Sequence, residues 1–67
     1  MTYVKFYRVK ENSKGEAIIQ ETWVDIFEVV CFGEHDHGNY IQIKGGYSIT
    51  VKESIAEILK KLEDAHP

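Results

Sequence analysis

The sequence predicts a small α+β domain, a curved antiparallel sheet of four to five strands with one C-terminal helix. Three observations lead there. Ile41, Ile43, Ile49 and Val51 alternate with polar residues on either side of Gly45-Gly46, the pattern of a glycine-turn hairpin. From Ile55 the period changes, and Ile55, Ile58, Leu59 and Leu62 fall on one helical stripe. The first half of the chain is rich in aromatic and β-branched residues and is punctuated by short polar stretches. A β-β-β-β-α order and an SH3-like barrel with an added helix both satisfy this pattern.

Taken in order, residues 2–10 (TYVKFYRVK) read as a first strand. One face would carry Val4, Phe6 and Arg8, and the other Tyr3, Lys5, Tyr7 and Val9. Residues 11–16 (ENSKGE) form a turn by composition, with Asn12, Ser13 and Gly15 supplying a permissive backbone. Residues 17–24 (AIIQETWV) return as the second strand, and Asp25 is a plausible bend. Residues 26–32 (IFEVVCF) make the most apolar run and predict a strand covered on both faces. A polar loop is expected over 33–39 (GEHDHGN). In the hairpin that follows, a two-residue Gly-Gly turn would pair Gln42 with Ile49 and split the aliphatic set. A three-residue loop of Gly45, Gly46 and Tyr47 instead pairs Ile43 with Ile49 and Ile41 with Val51, which keeps the four on one side. The helix is expected over 54–64, opened by a capping box of Ser54 and Glu57. Lys60 and Lys61 are placed to suit the helix dipole, and fraying is expected from Asp64 onward.

The chain has 67 residues, close to the lower limit for a domain held by burial alone. One cysteine, Cys31, excludes an internal disulfide and suits a reducing, cytoplasmic setting. No apolar run approaches the roughly 20 residues of a membrane span, and Lys5, Arg8 and Lys10 interrupt any signal-like region. With 8 basic against 11 acidic residues, the net charge of -3 argues against nucleic-acid binding.

The segment from Ile41 to Leu62, about a third of the chain, resembles the FlbD-like family of small bacterial flagellar-operon proteins. Ile41, Ile43, Gly46, Val51, Glu53 and Ser54 match its I-x-L-x-x-G-x-x-x-V-x-E-S type pattern, and the helical Ile55, Ile58 and Leu62 follow. The chain departs from the family in its longer first hairpin tip, ENSKGE. Glu21-Thr22-Trp23-Val24 also stands where the family has N-P-D-x-I. The resemblance implies a β-rich sheet with a C-terminal helix and a flagellar accessory role.

Among candidate sites, Glu34-His35-Asp36-His37 alone has ligand chemistry. His35 and His37 are weak metal candidates, because a closed zinc site wants four ligands and no second cysteine pair exists. No cofactor is therefore expected. Cys31 lies in an apolar run and reads as a small buried hydrophobe, without the base a nucleophile needs. No convergent acid, base or nucleophile marks an enzyme. The aromatics Tyr3, Tyr7, Trp23, Phe27, Tyr40 and Tyr47 carry more weight. One helix covers one face of a small sheet, so unless the sheet curls into a barrel, some of these rings are left to a contact surface. A non-catalytic binding protein is the expectation. It would be a homo-oligomer, a dimer in the simplest form, that engages or inhibits a protein partner of bacterial or phage context. A small-ligand binder for a nucleotide-like signal is the alternative.

Overall fold

The computed structural model describes residues 2–36 and 38–66. It contains β1 (Tyr3–Glu11), β2 (Ala17–Asp25), a single 3-10 turn (Ile26–Glu28), β3 (Val29–His35), β4 (Gly38–Ile43), β5 (Tyr47–Val51) and α1 (Ile55–Ala65). The strands form one antiparallel sheet in the order β2-β1-β5-β4-β3. The sheet is open, with β2 and β3 at its two edges. This is the expected α+β class, with the five-strand count.

Residues with even numbers on β1 and β2 share the inner face, where Phe6 is fully buried and Val24 nearly so. Ile41, Ile49 and Val51 join them from the hairpin, and Ile58 closes the core from the helix. Phe6, Ile41 and Ile58 are the most deeply enclosed, and burial of each is worth about 1.5–3 kcal/mol. Val4, Val29, Phe32, Ile43, Ile55 and Leu62 pack around this cluster.

The hairpin of β4 and β5 places its aliphatics on one side, as expected, but with a different register. Ile41 faces Ile49 and Ile43 faces Tyr47. The loop does have three residues, but they are Lys44, Gly45 and Gly46. Both glycines adopt left-handed φ values, 95° and 88°, and Tyr47 remains in the strand. The pairing therefore moves by two positions and the facing is unchanged.

Four further expectations are corrected. Residues 26–32 are not one covered strand: Asp25 accepts a hydrogen bond from Phe27 N at 3.0 Å and caps the 3-10 turn. Phe27 on that turn is exposed, and the strand that follows is an edge, with Val30 and Cys31 exposed. Cys31 is thus no buried hydrophobe; its thiol donates to Gln42 Oε1 at 3.2 Å. Residues 33–35 and 38–39 are strand rather than the expected loop, because β3 continues to His35 and β4 begins at Gly38. Gly33 makes room for Tyr40: a Cβ there would lie 3.0 Å from the phenol oxygen and 3.2 Å from the ring. Asn39 Nδ2 donates to the Glu53 carbonyl at 2.8 Å. The helix also runs to Ala65, so Asp64 and Ala65 are helical rather than frayed, and its last turn carries no basic residue.

The capping box forms as expected, with Glu57 N donating to Ser54 Oγ and Ser54 N to Glu57 Oε1, both at 3.2 Å. These bonds, with Lys61 and Lys52 nearby, hold the Glu57 carboxyl below its ordinary value.

Candidate interaction surface

Backbone pairing decides which groups of the sheet are left for other molecules. In an antiparallel ladder, residues alternate between exchanging hydrogen bonds with one neighbour and pointing them the other way. Ile26 N donates to Thr2 O, and Asn12 N to Glu16 O, each at 3.0 Å. These bonds set the phase, so even residues of β1 and β2 bond to each other. Odd residues of β1 point toward β5, and odd residues of β2 point outward.

The two outward-facing edges meet different fates. On β1, only Arg8 pairs in register with β5, opposite Val51, and Lys52 N donates to Tyr7 O at 2.8 Å. Nearer the start of β1 no strand takes over, and two side chains replace it. The Glu53 carboxylate accepts from Tyr7 N at 3.1 and 3.2 Å. The Lys61 ammonium donates to Lys5 O at 2.7 Å and to Glu53 Oε2 at 2.9 Å. Glu53, 4% exposed, is the only buried charged residue among those described. Lys61 also lies 5.2 Å from the Phe6 ring centroid. Together the carboxylate and the ammonium imitate the acceptor and donor of a missing strand. The outward edge of β2, in contrast, has no strand beside it among the described residues.

The six aromatic candidates do not form one surface. Tyr3 and Trp23 come together along a groove of about 520 Å³, whose apolar lining includes Val24, Ile43 and Ile49. Asp25, whose Oδ1 accepts from Phe27 N, and Glu28 are the acidic residues of its lining. Trp23 is 62% exposed and Tyr3 half exposed. Phe27, on the 3-10 turn next to Asp25, is also exposed. Tyr47 is exposed at the hairpin end. Tyr7 and Tyr40 are half buried and occupied within the chain. Tyr7 receives Lys5 at 5.3 Å from its ring centroid and Lys61 at 5.7 Å. Tyr40 lies against His35, with centroids 5.6 Å apart. Lys5 also pairs with Glu21 at 3.7 Å, and its pKa is raised, first by Tyr7 and then by Glu21.

Leu59, expected on the apolar stripe of the helix, is 46% exposed, and two further exposed residues escaped the sequence reading. Ile18 and Ile19, on opposite faces of β2, are 44% and 50% exposed. They looked like ordinary strand residues, because composition does not say that this strand is an edge. His35 sits at the end of β3, with Nε2 3.5 Å from Thr50 Oγ1; His37 lies outside the described residues. Among the described residues, no three His, Cys, Asp or Glu side chains gather as a metal site would require. No described helix is long and apolar enough to cross a membrane. Comparison with protein-family models, curated proteins and solved structures gave no match.

Proposed function

We propose that this chain is a non-catalytic protein-interaction module, working as a homo-oligomer and engaging a protein partner through the surface around Trp23. The observation that carries the reading is the groove itself, with Trp23 and Tyr3 exposed beside an apolar lining. Exposed aromatics clustered at a concavity are the usual anchors of protein interfaces. Asp25 and Glu28 add the preference: a partner segment would present an apolar side chain to the groove and a Lys or Arg to its carboxylates.

Affinity capture with the wild-type chain, Trp23→Ala and a Lys60→Ala control tests this. A specific partner is expected with the wild type and the control and is lost with Trp23→Ala. A partner recovered equally by all three would refute the assignment of the surface.

The groove volume also suits a small molecule, which favours a second reading, that of a ligand-binding protein. The two carboxylates weigh against an anionic, nucleotide-like ligand and toward a neutral or cationic one. A metabolite that raises the melting temperature, with no protein captured, would support it.

A further inference from the structure

We infer that β2 pairs edge to edge with β2 of a second copy, antiparallel about a two-fold axis through Glu21; this rests on the reading of the Trp23 surface as an interface. The first argument is geometric. β2 exposes Ile18 on one face and Ile19 and Trp23 on the other. A ligand lying on the sheet covers one face only. An element that covers both must lie beside the strand, where the outward N–H and C=O groups of Ala17, Ile19, Glu21, Trp23 and Asp25 require a strand as partner.

The second argument is the condition of the edge. Natural sheets blunt free edges with bulges, prolines, short strands or charged side chains, lysine above all. The one charge inside β2, Glu21, is paired with Lys5 of the neighbouring strand at 3.7 Å. β3, the opposite edge, has a register break between Val29 and Cys31. β2 runs nine residues in unbroken register with β1, without proline, lysine or arginine.

The third argument is self-complementarity, which selects the second copy as occupant. With Glu21 on the axis, Ile19 of each copy faces Trp23 of the other, and Ile18 faces Val24. Tyr3, Ile43 and Ile49 of the groove are not on β2 and stay outside this seam, available to the protein partner. Moving the axis to Gln20 sets Ile19 against Glu21, and moving it to Thr22 sets Ile19 against Asp25. The chosen register brings two Glu21 carboxylates together, each with Lys5 of its own copy 3.7 Å away. Lys5 offsets the repulsion, and two short apolar rows flank it. The pairing would form about ten backbone hydrogen bonds. It would bury on the order of 1,000 Å² over both copies, at the small end of specific interfaces, so exchange with monomer in the micromolar range is expected.

Sedimentation equilibrium of the full chain, from about 10 μM to 1 mM, tests the proposal. A monomer–dimer equilibrium is expected. Ile19→Pro removes an outward N–H and the side chain that faces Trp23 of the other copy but no hydrogen bond to β1, so it should leave the circular dichroism spectrum unchanged and weaken the dimer by at least about tenfold. Gln20→Pro, whose N–H faces β1, should disrupt the fold instead. Glu21→Gln should tighten the dimer about threefold. In native mass spectrometry, wild type mixed with Glu21→Lys should give more heterodimer than random mixing. A monomer throughout the range, or a dimer indifferent to Ile19→Pro, overturns the pairing, and random mixing overturns the register. A monomer that still captures its partner through Trp23 refutes the dimer alone. A dimer that captures nothing refutes the partner alone.

Discussion

Replacing Lys61 with Met should destabilise the protein far more than its position on a helix surface suggests. The substitution keeps helix propensity and most of the side-chain volume, so packing is largely conserved. What it removes is the ammonium that bonds Glu53 Oε2 at 2.9 Å and Lys5 O at 2.7 Å. Glu53, with its side chain 3% exposed, would keep a buried charge supported by a single N–H, that of Tyr7. Breaking a fully buried pair by removing one partner costs about 3–5 kcal/mol. The Lys61 side chain is 31% exposed, so water can reach part of the vacated position, and about 2–3 kcal/mol is the expected loss. Glu53→Gln should cost less, about 1–2 kcal/mol, because the amide oxygen can still accept from Tyr7 N and the lysine can turn to solvent. The double variant should then lose less than the two single losses added, by about 1 kcal/mol or more. Urea unfolding followed by far-ultraviolet circular dichroism measures all four proteins. A Lys61→Met midpoint equal to wild type, or strict additivity in the double variant, would refute the idea that these side chains stand in for a strand.

Three further outcomes follow from local geometry. Ser54→Ala removes the acceptor for Glu57 N and should lower stability by about 1 kcal/mol in urea titration. Glu57 has a folded pKa below its ordinary value of 4.5, chiefly through the Ser54 backbone N–H. Its contribution is therefore complete above that value and is lost as pH falls through the folded value. Urea midpoints compared at neutral and acid pH should fall less for Glu57→Gln than for wild type; equal falls would remove Glu57 from the account. At Gly46 a Cβ would meet nothing within 4 Å, yet φ is 88°. Gly46→Ala should cost about 1–2 kcal/mol from the backbone alone, and a thermal melt unchanged from wild type would contradict that.

The sequence made some of this legible and hid the rest for identifiable reasons. Alternation puts Ile41, Ile43, Ile49 and Val51 on one face under any pairing that differs by two, so their facing could be read. Which three residues made the loop depended on the two glycines taking left-handed φ together, and composition cannot fix that. The run 26–32 misled because apolar content reports the wish to be covered, not the presence of a cover. The same run lies at an edge, where Phe27 and Val30 remain exposed. Gly33 and Asn39 looked like loop residues, but one admits the Tyr40 ring and the other ties the strand to Glu53. Of the aromatic candidates, Trp23 and Tyr3 meet at the groove, while Tyr7 and Tyr40 were indistinguishable from them in sequence. Glu53 and Lys61 lie eight residues apart across a helix cap, and only the fold brings both to β1.

The treatment of the two strand edges carries the last step. β1 and β2 are partners in one hairpin, each with a row of outward N–H and C=O groups. On β1 that row is closed at Lys5 and Tyr7 by a buried carboxylate and an ammonium. Such an arrangement requires desolvating charge and is stable only with good geometry. β5 itself makes a single in-register pair with β1, at Arg8. On β2 nothing comparable occurs among the described residues: nine residues run straight, and Ile18, Ile19 and Trp23 are exposed. A chain that closes one edge of a hairpin with charged side chains has the means to close the other. The contrast between the two edges, more than the exposure of any one residue, is what supports placing a second copy along β2.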